Sequence, residues 1–202
     1  MQKNELLEYG NYYHIYNRGI NSCNLFEEAR NYEYFLRLYE RHVSSVAITY
    51  SWVLMKNHFH FLVKIRDSSE LLSCASNDSL SESLLPKPHQ YFSNLFNAYA
   101  KAYNKRYSRH GGLFERPFKR KLITCPEYLK QIVVYIHNNP IRHGCVDDLV
   151  DYPWSSYHSC ISEKPIKTQN DLVIKWFKNN AGFKQNHLTG ECLNVDDEWL
   201  GI

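Results

Sequence analysis

Apolar and polar residues alternate from Asn57 to Ile65. Phe59, Phe61, Val63 and Ile65 fall on one side of an extended chain, and His58, His60, Leu62 and Lys64 on the other. Side chains two apart share a face of a strand, so the two imidazoles stand side by side while the phenylalanines plug a core behind them. Residues 46–55 read as a preceding strand with Val46, Ile48, Tyr50, Trp52 and Leu54 on one face. The short Lys56-Asn57 link between the two runs predicts an antiparallel hairpin. Residues 11–18 form a first strand stopped at Gly19. Residues 113–123 form a last one, with Pro117 marking an edge position or a bulge.

A three-to-four residue period appears in three places. Leu25, Phe26, Ala29, Tyr32, Leu36, Tyr39 and Val43 predict a helix over 25–43, and Phe92, Leu95, Phe96, Tyr99, Ala102 and Tyr103 one over 89–109. Leu129, Ile132, Val133 and Ile136 predict a third from Glu127 to about Asn139. It is opened by a Thr124-x-x-Glu127 capping box and stopped or kinked by Pro140. Residues 66–88 are serine-rich and without period, which predicts a mobile loop. An inert insertion and a lid ordered by a ligand both fit it. After Pro140 come a short turn of helix and an aromatic segment, Asp151–Tyr157. A small helical appendage around residues 172–177 and a weakly structured tail follow.

The order β-α-β-β-α-β-α carries the ferredoxin-like split βαβ pattern in its first six elements. The expectation is an α+β fold with an antiparallel sheet of four to five strands. Two helices cover the phenylalanine face, and the third is free to cover the histidine face. Residues 1–161 form the main domain and 162–202 the appendage.

Composition narrows the class. The 202 residues are 44% apolar and 22% charged, as in soluble globular proteins, with a net charge of only +3. The position of the charge says more. Between Lys101 and Lys121 lie Lys101, Lys105, Arg106, Arg109, Arg116, Lys119, Arg120 and Lys121, against the single acid Glu115. A solvated basic face is the default reading of such a run. Here Tyr103, Tyr107, Phe114 and Phe118 are interleaved with the charges, which suits a surface that tracks a phosphate backbone and stacks bases. The six cysteines are scattered without a Cys-x-x-Cys pair, so reduced thiols in a cytoplasmic protein are expected rather than a zinc knuckle or a disulfide framework. No signal-peptide or membrane-spanning run is present in the sequence.

On the third helix Gln131, Tyr135 and Asn139 follow one another at intervals of four and form a polar line beside the apolar stripe. Laid over the histidine face, that line brings a phenol and a carboxamide oxygen to two imidazoles. Such a mixed nitrogen and oxygen site suits Mg²⁺ or Mn²⁺ acting on a phosphodiester. A free phenol, with a pKa of about 10, needs that kind of help to attack at neutral pH.

Two runs carry a family resemblance. Met55-Lys-Asn-His-Phe-His-Phe-Leu-Val63 resembles the His-hydrophobic-His (HUH) motif of single-tyrosine transposases. Tyr135-Ile-His-Asn-Asn-Pro-Ile-Arg-His-Gly144 resembles the tyrosine segment of the REP-associated tyrosine transposases. Tyr13–Gly19, Gly112–Arg120 and Tyr152–Tyr157 add similarity in the family's order. The resemblance implies His58 and His60 as metal ligands, Asn139 in the third-ligand position, Tyr135 as nucleophile and Gln131 as a substitute in the outer shell. It also implies nicking and strand transfer on single-stranded DNA hairpins through a 5′-phosphotyrosine, with Mg²⁺ or Mn²⁺. It leaves monomer and homodimer both open. The basic run 101–121 is the expected hairpin grip. His14, Arg18 and His137 are read first as structural or solvent-exposed. Two other readings stand beside this one: a catalytically silent hairpin-DNA or RNA-binding protein on the same fold, and a replication-initiator type of HUH nickase.

Overall fold

A computed structural model describes residues 5–73, 85–162 and 169–190. Strands β1 (Tyr12–Arg18), β2 (Ala47–Met55), β3 (His58–Ile65) and β4 (Lys119–Ile123) form one antiparallel sheet in the order β2-β3-β1-β4. Helices α1 (Ala29–Val43) and α3 (Pro88–Arg106) connect them and pack on each other. This is the split βαβ arrangement expected, with β1 and β2 held apart by β3.

The alternation of β3 divides the molecule into two cores. Phe59, Phe61, Val63 and Ile65 join Tyr13 and Ile15 of β1 under α1 and α3, where the Phe61 ring stacks on Tyr39 at 4.4 Å. Leu62 joins Val53, Met55 and Ile123 on the opposite face, under α4 (Pro126–Arg142). Ile132 to Pro140 of α4 are all buried. A helix apolar on one stripe alone would leave part of that run exposed. Beyond α5 (Tyr157–Ile161) and α6 (Gln169–Trp176), α7 (Asn180–Thr189) packs behind it, and Val173, Phe177 and Phe183 from this C-terminal segment enter the same core.

Several local expectations are corrected. The first helix begins at Ala29, with Glu28 as its cap, because Leu25 and Phe26 are core residues in a loop. Their amides both donate to Lys56 O, so burial imitates a helical period where there is no helix. The residues of β2 do not share one face. A bulge at Tyr50 sends Ile48 and Tyr50 toward α4 and leaves Trp52 and Leu54 with the α1 side. Regular pairing of the last strand starts only at Lys119, and residues 113–115 meet the end of β1 through single bonds. Thr124 does not cap α4; Cys125 does, without a side-chain bond to the helix. Pro140 does not stop the helix. It sits one turn from the end, and the chain closes through His143 N–H to Asn139 O and Cys145 N–H to Pro140 O.

Of the serine-rich stretch, Ser68–Ser73 forms α2, and residues 74–84 lie outside the described residues, as do the tail after residue 190, Cys74 and Cys192. Cys23, Cys125, Cys145 and Cys160 are outside any disulfide. Among the described residues no helix is long and apolar enough to cross a membrane.

Candidate active site

Cross-strand partners in a sheet face the same way. The register pairs Tyr16 with His60 and Arg18 with His58, so Tyr12, His14, Tyr16 and Arg18 share the histidine face, and Lys119 and Lys121 join them from β4. Helix α4 crosses this face. Tyr135 is fully buried, its ring edge-on to His60 with centroids 5.4 Å apart, and to His14 at 6.1 Å. One turn later Asn139 places Oδ1 3.0 Å from His58 Nε2.

The imidazoles are enclosed and neutral. Burial pushes the His58 pKa down to about 4, partly opposed by the Asn139 contact, and the His14 pKa down to about 3. His60 is held well below the usual histidine range by burial first and by the neighbouring His14 next. Neutral rings are what a cation requires of histidine.

The donor set fits a small hard cation. His58 Nδ1 lies 2.7 Å from Asn57 Oδ1. When Nδ1–H donates to that oxygen, Nε2 and Asn139 Oδ1 are two lone-pair donors 3.0 Å apart. Neighbouring ligands at roughly 2.1 Å in an octahedron are separated by about 3.0 Å. His60 Nε2 is buried and has no hydrogen-bond partner, so a third donor atom is unsatisfied. Among the described residues no three His, Cys, Asp or Glu side chains are gathered for a metal. The amide oxygen of Asn139 is the carboxamide donor that meets His58. Of the two amides on this line, Asn139 meets His58, and Gln131 Oε1 is buried without a bond two turns earlier.

A cleft lined by Tyr16, Asn17, Arg18, His58, His60, Glu115 and Lys119 opens onto the two imidazoles. Neither Tyr135 nor Asn139 lines it. Two cations at its rim suit a phosphate backbone. Arg18, first read as structural or solvent-exposed, is thus at the mouth of the site.

The eight basic residues of the 101–121 run do not form one surface. On β4 the alternation puts Lys119 and Lys121 on the histidine face and Arg120 on the other, where its guanidinium lies 4.8 Å from the Phe118 ring centre. Lys101 and Lys105 are exposed on α3, and Arg106 donates to Glu28, the cap of α1, through Nε at 2.7 Å. Arg109 lies over the Tyr103 ring, and the exposed Arg116 borders a second cleft with Phe114, Phe118 and Arg120. His137, also read first as structural or exposed, is fully buried between Ser156 Oγ and His187 Nε2, at 2.8 and 2.9 Å.

No protein-family model matches the chain. A Haemophilus influenzae protein, named provisionally as a REP-associated tyrosine transposase, is 27% identical over 107 residues, 52% of this chain and 56% of the relative. The match thus spans little more than half of that curated relative. A solved structure of a REP-associated tyrosine transposase bound to a REP hairpin superposes with a TM-score of 0.62 at 15% identity, over 81% of this chain and 86% of that one. The chain resembles this family in sequence and shares the fold.

Proposed function

We propose that this chain is a REP-associated tyrosine transposase, which nicks single-stranded DNA beside a short hairpin and rejoins it by strand transfer. One observation carries the reading: a single helix brings Tyr135 to His60 and Asn139 to His58, on a face rimmed by Arg18 and Lys119. The H. influenzae relative and the hairpin-bound neighbour support it.

In this reading His58, His60 and Asn139 hold Mg²⁺ or Mn²⁺. The bound ion would polarise the scissile phosphate and offset charge on its oxygens. Arg18 and Lys119 draw the strand into the cleft. The Tyr135 oxygen attacks phosphorus, and the bond to the 3′ oxygen breaks. The products are a free 3′-hydroxyl and a 5′-phosphotyrosine. A 3′-hydroxyl then attacks the phosphotyrosine, restores the DNA ester and releases the phenol. No nucleotide is consumed, because the ester bond energy is retained in the covalent link. Since Tyr135 already lies against His60 but is enclosed and does not line the cleft, its ring turns or shifts toward the cleft when DNA enters.

That enclosure also favours one alternative, a catalytically silent hairpin binder. Incubation with Mn²⁺ and a matching single-stranded hairpin decides between them. The proposal expects a covalent protein–DNA band on a denaturing gel that Tyr135→Phe abolishes. Hairpin binding without any adduct would leave the silent binder, and an adduct from the Phe variant would reassign the nucleophile.

A further inference from the structure

His14 is the least accounted-for group around the histidines. It is fully buried in the middle of β1, diagonal to His60 across the β1–β3 pair, and its Nε2 lies 3.0 Å from His60 Nδ1. The two rings are nearly parallel, 17° apart, and the Tyr16 ring lies beside both, 4.8 Å from His14 and 5.8 Å from His60. The remaining nitrogen of His14, Nδ1, is buried without a partner.

A contact between two imidazole nitrogens at this distance holds a single proton. If His14 donates it, His60 carries its own hydrogen on Nε2 and offers a cation nothing there. If His60 donates from Nδ1, its Nε2 is a bare lone pair, and this is the buried atom left without a partner. Ligating histidines usually give the other N–H to a carboxylate or carbonyl, which fixes both tautomer and ring angle. On this sheet face the atom that meets His60 Nδ1 is His14 Nε2.

Resting on the metal-site reading above, we infer that His14 is a positioning residue for the metal: as acceptor of the His60 Nδ1 proton, it holds His60 in the one tautomer and orientation that presents Nε2 to the ion. The role needs an acceptor at the place of Nε2. Glutamine supplies a carbonyl oxygen near that place. Phenylalanine fills the volume and supplies none.

The test is Mn²⁺ affinity without DNA, measured by titration of free Mn²⁺, for wild type, His14→Phe and His14→Gln. Loss of such an outer-shell partner weakens metal binding roughly 10–100-fold. The expected result is a loss of that size for His14→Phe and recovery to within about threefold of wild type for His14→Gln. Equal affinity of wild type and His14→Phe overturns the inference while leaving the metal site standing. A wild type with no Mn²⁺ affinity overturns the metal site and the inference together. Should His14→Phe fail to fold, nitrogen-15 spectra of the metal-free wild type decide. His60 must carry its proton on Nδ1, and a proton on Nε2 overturns the role.

Discussion

Asn139 Oδ1 and His58 Nε2 are 81 residues apart in sequence and 3.0 Å apart in space. The first belongs to a helix and the second to a strand, and only the crossing of α4 over β3 joins them. Removing the amide should therefore cost metal affinity before it costs fold. Asn139→Ala is expected to weaken Mn²⁺ binding by at least the 10–100-fold typical of lost outer-shell partners. Asn139→Asp, which keeps the oxygen and adds charge, is expected to bind at least as well as wild type. Calorimetric titration with Mn²⁺ checks both.

Phe59 and His60 are neighbours that serve opposite faces. Phe59 is buried with Phe35 and Phe96 in the α1–α3 core, and His60 faces α4. Phe59→Ala should lower stability by about 3–5 kcal/mol, as large-to-small core changes do, while the surviving folded protein keeps its Mn²⁺ affinity. His60→Ala should do the reverse, losing Mn²⁺ with a smaller loss of stability. Urea unfolding and Mn²⁺ titration on the same two variants read both effects. A shared pattern would mean that the register of β3 is misplaced.

The alternation of β3 was legible because a strand half-buried on each side must separate its residues by face, and those faces became the two cores. The positions of His58, His60, Tyr135 and Asn139 followed from that alternation and from the four-residue spacing on one helix. What stayed hidden depends on neighbours far along the chain. Tyr12, His14, Tyr16 and Arg18 repeat at every second position, the same signal as in β3, but only the sheet order β2-β3-β1-β4 puts His14 against His60. The bulge at Tyr50 inverts half of β2, and periodicity carries no mark of it. Leu25 and Phe26 kept helical spacing while lying in a loop, because burial under α3 and the hairpin link selects apolar residues without regard to backbone. The basic run read as one surface, since charge counted along a chain does not show that β4 points its residues to alternate sides.

That division of charge predicts a graded response to DNA. Lys119 lines the cleft on the histidines, whereas Lys105 is exposed on α3 beyond the opposite face of the sheet. Lys119→Ala should weaken binding of the hairpin strand and lower the slope of log affinity against log salt by about 1, the effect of one lost phosphate contact. Lys105→Ala should change that slope less. Fluorescence anisotropy with a labelled hairpin across a salt series measures both. Equal slopes would place the strand on α3 as much as on the histidine face.

His187 makes stability depend on pH in a definite direction. It donates from Nδ1 to Phe183 O at 2.7 Å and accepts from His137 Nδ1 at 2.9 Å, and His137 in turn accepts at Nε2 from Ser156 Oγ at 2.8 Å. Both ring nitrogens of His137 and both of His187 already have partners, so an added proton would set donor against donor. Burial pushes the His187 pKa down to about 4 from an unfolded value of 6.5, with the Phe183 carbonyl partly opposing it. The unfolded chain therefore takes up the proton first. The contribution is fully present above pH about 6.5 and is lost as pH falls through the window toward about 4. Across that window one histidine changes the unfolding free energy by up to ~1.4 kcal/mol per pH unit. His187→Asn should lower stability at pH 7, because it leaves His137 short of an acceptor, and should also flatten the pH dependence by close to one proton. Urea unfolding of wild type and variant at several pH values between 7 and 5 gives both quantities. Parallel curves for the two proteins would mean that His187 is no harder to protonate in the folded state than in the unfolded chain.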